Sequence, residues 1–143
     1  MIKFWRTTDK YGPLSNFAQF GFVLDGKYYQ TSEHYYQSQK SLDPAIQEKI
    51  RTQKTPKLSK QLASTIQLRP DWEDIKYQIM FKALKAKFTQ TASLKGLLLE
   101  TGDEILVEDS PYDCIWGCGR DGTGQNLLGK CLTEVRNWLR ESS

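Results

Sequence analysis

From Asp71 to Phe88 the apolar residues return at helical spacing, with Trp72, Ile75, Ile79, Met80, Ala83, Leu84, Lys87 and Phe88 on one stripe. Such a helix takes a large share of a 143-residue chain, and the segments around it narrow the choice of fold further. Upstream, Phe20 to Leu24 and Lys27 to Gln30 flank Asp25-Gly26, the pair that best suits a type I′ hairpin turn, where both central residues take positive φ. Ile2 to Thr7 has the apolar and aromatic content of a short strand, and Tyr11 to Phe17 reads as a loop. Thr31 is placed to cap a helix over Ser32 to Lys40, and Pro44 and Pro56 open two more, ending at Arg51 and near Ser64. Asp71 caps the long helix, Ser93 caps another through Leu99, and Glu104 to Glu108 reads as a short strand. The last helix, Asn126 to Arg140, turns Leu127, Leu128, Cys131, Leu132, Val135 and Leu139 inward. Strands do not alternate with helices, which excludes a wound parallel sheet. The spacing predicts a mainly α (α+β) fold: helices around a small antiparallel hairpin or sheet near the N-terminus. No repeat and no low-complexity tract divides the chain, so residues 1–143 are expected to form a single domain.

Several classes of function fall away on composition. No stretch approaches the roughly 18 apolar residues of a membrane span, and MIKFWRTTDK has no apolar core of a secretory signal. The cysteines, Cys114, Cys118 and Cys131, are too few and odd in number for a disulfide framework, which fits a reducing cytoplasm. The net charge of +3 is spread along the chain without a Lys/Arg run, so it tolerates a phosphorylated small molecule or weak nucleic-acid contact and demands neither. His34 is the one histidine. A His-built metal site therefore lacks ligands, and a triad would hang on one residue. Chemistry in this chain must rest on carboxylates, lysines and backbone groups, and neither a metal nor a cofactor is expected.

Two segments carry groups suited to chemistry. In Thr31-Ser32-Glu33-His34-Tyr35-Tyr36-Gln37-Ser38-Gln39-Lys40, helical spacing puts Glu33, Tyr36, Gln37 and Lys40 on one face, an acid and a cation with hydrogen-bonding groups between them. A carboxylate there can stabilise an oxocarbenium ion or activate a water. The commoner reading of such a residue is a first-turn acid on a solvated face, and of His34 a packing residue. The second segment is Asp113-Cys114-Ile115-Trp116-Gly117-Cys118-Gly119, in a long loop. A tryptophan beside glycines suits a flat ligand, and equally a glycine-rich turn around a core ring. Gly122-Thr123-Gly124-Gln125-Asn126 then leads into a helix, where backbone N–H groups can meet phosphate, although neither phosphate-binding fingerprint is present.

Taken in order, the chain resembles the YbiA-like family, also called NADAR. The matching segments are Tyr11-Gly12 with Ser15-Asn16-Phe17, Asp25-Gly26, Ser32-Glu33-His34-Tyr35-Tyr36-Gln37 with Gln39-Lys40, Arg69 with Asp71-Trp72, Met80 and Lys87-Phe88. They continue through Leu98, Thr101-Gly102-Asp103, Leu106-Val107-Glu108, Asp113, Trp116-Gly117 with Gly119, Gly124 with Asn126, Leu128-Gly129 and Arg136. Each motif is short, but the ordered set runs from Phe4 to Leu139 and is specific. Thr133 departs from the pattern, which has Met after Leu132; it falls on the last helix.

The resemblance implies a compact multihelical fold and hydrolysis of N-glycosides of ribose. Similar bacterial members remove the sugar from phosphoribosylamino-pyrimidines, early intermediates of riboflavin biosynthesis, whereas other members release ADP-ribose from modified guanine in nucleic acid. The family's catalytic glutamate, in its Glu-His-Tyr motif, matches Glu33. Around it, Lys40 is the candidate for holding phosphate or for attacking C1′ as an amine. Trp116 with Gly117 is the candidate for the base, and Glu108 and Asp113 for the ribose hydroxyls or a second carboxylate. Asn16 and Asn126 are candidates for polar edges of the substrate, Tyr36 for a hydrogen bond, and Arg69 and Arg120 for phosphate. The expected partner is a phosphoribosylated or ADP-ribosylated small molecule. Two rivals stand beside it: an ADP-ribosyl glycohydrolase acting on nucleic acid, and a module that binds ADP-ribose or a nucleotide without catalysis.

Overall fold

Asp25 and Gly26 both take positive φ, 53° and 78°, as the hairpin requires. They join the strands β2 (Phe22–Leu24) and β3 (Lys27–Tyr29), which pair antiparallel with Phe22 opposite Tyr29 and Leu24 opposite Lys27. The computed structural model describes residues 1–142. Its remaining elements are β1 (Ile2–Phe4), α1 (Ser32–Ser38), α2 (Pro44–Arg51), α3 (Pro56–Ala63), α4 (Trp72–Gln90), α5 (Ala92–Glu100), β4 (Leu106–Glu108) and α6 (Leu127–Glu141), with a 3₁₀ turn at Gly12–Leu14. The fold is mainly helical with a small β component, as the periodicity predicts. Contacts group into two compact units, Met1–Ser15 with Phe88–Ser143, and Asn16–Lys87, each described in turn.

In the unit Asn16–Lys87, α1 is the centre. All seven of its residues are buried, and it packs on α2, α3 and β3. Thr31 caps it in extended backbone, its hydroxyl accepting from His34 N at 3.1 Å. Phe22, Tyr29, Tyr35, Ala83 and Ala86 form one apolar cluster, with Leu24 and Ile79 at its margin. The rings of Phe22 and Tyr29 stack at 6.0 Å, and Tyr35 meets Tyr29 edge-on at 4.9 Å. Asp43 and Thr55 cap α2 and α3 by accepting from Ala45 N and Leu58 N, each ahead of a proline in the first turn. The helix predicted to reach Lys40 stops at Ser38: Gln39 N bonds back to Tyr35 O and Lys40 N to Gln37 O, a turn that closes α1.

In the unit Met1–Ser15 with Phe88–Ser143, β1 pairs parallel with β4, Ile2 opposite Leu106 and Phe4 opposite Glu108. This differs from the expected antiparallel sheet, which accounts for β2 and β3 alone. β4 packs on α6, and α6 on α5. Buried Phe4, Leu98, Leu106, Leu128, Leu132 and Val135 make the core. Gly129 is what lets α6 lie against β4: a Cβ there would stand 2.0 Å from Leu106 O. The cap of α5 is Thr91, two residues before the predicted Ser93, and its carbonyl accepts from Leu94 N and Lys95 N. Among the described residues no helix is long and apolar enough to cross a membrane.

Candidate active site

Glu33 is buried, at 7% exposed, which overturns the solvated-face reading. A helix as short as α1, enclosed by β3, α2 and α3, has no face left for solvent. The Glu33 carboxylate accepts from Gln37 Nε2 at 2.6 Å, one turn along the helix. Its backbone N donates to Asn16 O at 3.2 Å, while Ser32 Oγ donates to Asn16 Oδ1 at 2.7 Å. Asn16, itself buried, thus pins the first turn of α1 from both main chain and side chain.

Lys40 stands two residues beyond the end of α1, so aromatic rings, not the helical repeat, decide its position. Its ammonium lies 5.5 Å from the Tyr36 ring and 5.8 Å from the Trp72 ring, and those two rings meet edge-on at 5.0 Å. Arg69 closes its planar fork on Asp71, Nε to Oδ1 at 2.7 Å and Nη2 to Oδ2 at 3.1 Å, and also donates to Gln39 O. That hydrogen-bonded guanidinium holds the Asp71 carboxyl below its ordinary value, against the opposing effect of desolvation. Arg69 N donates to Lys40 O at 2.9 Å. Arg69 therefore braces the turn that carries Lys40. The unit brings Asn16, Glu33, Tyr36, Gln37, Lys40 and Arg69 together on and beside α1.

His34 faces the other way. Fully buried, it bonds Thr31 Oγ1 through Nδ1 at 2.8 Å and Gln53 O through Nε2 at 2.9 Å. A carbonyl partner requires Nε2 to carry the proton, leaving Nδ1 to accept from the threonine hydroxyl. Burial pushes its pKa down, with the Gln53 carbonyl opposing. It is a packing residue.

In the other unit, Asp113 Oδ1 accepts from Ile115 N at 2.9 Å and Trp116 N at 2.8 Å, and Asp113 O from Gly119 N, which folds the loop back on itself. Gly117 sits where a Cβ would meet Asp113 O at 2.8 Å and Glu108 Oε2 at 3.2 Å, so Glu108, Asp113 and Gly117 are neighbours. Trp116 is buried, at 8% exposed. Asn126 takes φ 52° and spends both ends of its amide on β4, accepting from Glu108 N at 3.0 Å and donating to Leu106 O at 2.9 Å. The first N–H groups of α6 donate to loop carbonyls, Leu127 to Ile115 and Leu128 to Trp116, so they are engaged by the chain instead of presented to a phosphate. Arg120 is exposed on the loop. Cys114, Cys118 and Cys131 are free thiols; burial and the neighbouring Asp109 carboxylate push Cys118 up.

Two cations, Lys87 and Arg136, are buried where spacing alone gives no sign of it. Lys87 is fully buried, and burial pushes its amine down to about 7. Arg136 is buried with Nη1 on Thr101 Oγ1 and Glu104 O. The signal was a cation on an apolar stripe, Lys87 beside Ala83 and Leu84, and Arg136 beside Leu132 and Val135.

The NADAR domain family matches residues 3–140. The N-glycosidase YbiA of Escherichia coli is 45% identical over 97% of this chain and 88% of that protein. An NMR structure of the E. coli protein YbiA superimposes with a TM-score of 0.92 at 44% identity, covering 99% of this chain and 85% of the other. An N-glycosidase of Nostoc punctiforme is 45% identical over 97% of this chain and 92% of its own length. A chloroplastic riboflavin biosynthesis protein of Zea mays, PYRR, is 36% identical, and the match covers 96% of this chain and 25% of that one. With the fold, the ordered motifs and the family match in agreement over nearly its whole length, the chain belongs to the NADAR domain family.

Proposed function

We propose that this chain hydrolyses the N-glycosidic bond of a phosphoribosylamino-pyrimidine of riboflavin biosynthesis, releasing ribose 5-phosphate and the base, with Glu33 as the catalytic carboxylate. The reaction class is that of its full-length relatives: the chain is a hydrolase acting on N-glycosyl bonds. The riboflavin name of the maize relative supports the substrate class. The observation that carries the assignment of Glu33 is its burial together with the 2.6 Å bond from Gln37, an arrangement that a surface helix acid does not need.

Cleavage builds positive charge on C1′ and the ring oxygen. A water oxygen bonds to C1′ while the C1′–N bond breaks with its electron pair going to the base nitrogen. Glu33 takes the proton of the water and returns it to that nitrogen, so the base leaves neutral. Lys40, held on the Tyr36 and Trp72 rings, supplies the positive charge that the phosphate needs. Asn16 and Arg69 serve by holding the segments that carry Glu33 and Lys40.

The test offers purified protein a phosphoribosylamino-pyrimidine and, separately, DNA carrying ADP-ribosylated guanine, with the released sugar identified by mass spectrometry. Ribose 5-phosphate from the first is the expected product. ADP-ribose from the second alone would move the substrate to nucleic acid, and retention of either without release would make the chain a binding module.

A further inference from the structure

Gln37 and Glu33 form a buried pair of which only part is used. The Gln37 amide nitrogen donates to the carboxylate, and this orientation is dictated, because an amide oxygen turned the same way would face a group that only accepts. The Gln37 carbonyl oxygen Oε1 is thereby directed elsewhere. It is buried, in a residue 2% exposed, and has no hydrogen-bond partner among the described residues. Proteins rarely bury an acceptor without a donor, and an orphan beside a reactive group marks a place that a reactant completes. The donor that arrives in every turnover of a hydrolase is water. It has two hydrogens, and its lone pair must face C1′ when it attacks.

We infer that Gln37 is a positioning residue for the hydrolysis: its N–H fixes one oxygen of Glu33, and its carbonyl oxygen receives the second hydrogen of the attacking water. The inference rests on Glu33 being the catalytic carboxylate. With one hydrogen directed to Glu33 and the other to Gln37 Oε1, the water has lost its rotational freedom and offers its lone pair in one direction. Gln37 exchanges no proton. The water oxygen bonds to C1′, the C1′–N pair goes to the base, and the proton passes through Glu33 as above. Gln37 comes from the same helix as Glu33, so the two acceptors keep a fixed relation without depending on a loop.

The test compares Gln37→Leu, Gln37→Glu and Glu33→Gln with the parent on a phosphoribosylamino-pyrimidine, measuring kcat, KM and melting temperature across pH. The titratable groups near α1 other than Glu33 are common to all four proteins: the Glu48–Arg51 pair of α2 with Lys27 of β3, Lys57 and Lys60 of α3, His34 on α1, and Lys40 with the Arg69–Asp71 pair beyond it. A change of profile between variants therefore reports position 37. Gln37→Leu is expected to lose about tenfold or more in kcat with KM within about twofold. Gln37→Glu places two carboxyls in contact, which share one proton at low pH; the shared O–H then donates to Glu33 as the amide did. The parent loses activity as pH falls and Glu33 is protonated. Gln37→Glu is expected to do the reverse, active at low pH and losing activity as pH rises and the pair ionises fully. A purely structural glutamine leaves the kcat of Gln37→Leu near the parent's, and its Gln37→Glu still loses activity as pH falls, only at higher pH because the added carboxyl raises the pKa of Glu33.

Parent-like kcat in Gln37→Leu with a Gln37→Glu that still loses activity as pH falls, or a rise in KM with kcat unchanged, would overturn the inference provided Glu33→Gln is inactive. Should Gln37→Glu fail to fold, the kcat–KM split of Gln37→Leu decides alone. If Glu33→Gln turns over, the assignment of Glu33 has failed, and the inference about Gln37 fails with it for that separate reason.

Discussion

His34 shows how a single protonation ties stability to pH in this molecule. Its imidazole is neutral in the folded state, donating to Gln53 O and accepting from Thr31, and its pKa lies below the ordinary 6.5. In the unfolded chain the same ring takes up a proton nearer 6.5, so below that pH the unfolded state binds more protons. The contribution is therefore complete above about pH 6.5 and is lost as pH falls through the window down to the folded value. The melting temperature is expected to drop between about pH 7 and pH 5. His34→Gln, although less stable at pH 7, should show a shallower slope over that range, and a slope equal to the parent's would assign the effect to other groups. Glu33 was legible as a candidate because helical spacing places it near Tyr36 and Gln37. Its burial was not legible: where every residue of a helix is enclosed, no polar face remains for periodicity to reveal. Lys40 was placed on the same face by counting, yet the helix ends before it, and aromatic contacts from Trp72, distant in sequence, hold it.

Among the elements, the caps of α1 and α3 look alike in sequence and differ in consequence. Thr31 and Thr55 each accept from a backbone N–H three residues on. Thr31 also satisfies buried His34 Nδ1, whereas the Thr55 bond is exposed. Thr55→Ala is expected to cost about 1 kcal/mol. Thr31→Ala should cost that plus about 1–3 kcal/mol for the imidazole nitrogen left without its donor. Urea unfolding of the two variants checks the difference, and equal losses would contradict it. Gly129→Ala belongs at the same scale: its Cβ would collide with Leu106 O, so α6 must move off β4, at about 1–3 kcal/mol. The β2–β3 hairpin was legible because Asp25-Gly26 is a local signal. The pairing of β1 with β4 was not, since the strands are three residues each, run parallel and join positions such as Ile2 and Leu106 that no local pattern links. The start of α6 was misread for a related reason: its glycines point to a phosphate cradle, but carbonyls of the 110–124 loop fold back to take the N–H groups.

For the whole molecule, the helical content and the place of each helix followed from periodicity and caps, while the division of contacts between Met1–Ser15 with Phe88–Ser143 and Asn16–Lys87 depends on which segments meet after folding. The candidate chemistry concentrates in Asn16–Lys87, where a buried carboxylate, its amide partner and a ring-held lysine all stand on or next to α1. The central claim is that Glu33 acts on the reacting centre and does not merely complete a helix. Single-turnover release of base from a phosphoribosylamino-pyrimidine by Glu33→Gln, with thermal melting in parallel, tests it directly. The substitution keeps shape and hydrogen-bonding capacity while removing charge and basicity. The account predicts a protein that melts within a few degrees of the parent and releases base about 10²–10³ times more slowly, the loss typical of a removed electrostatic stabiliser. Release within about threefold of the parent, an effect of roughly 0.7 kcal/mol or less, would contradict it and show that the reaction uses another group.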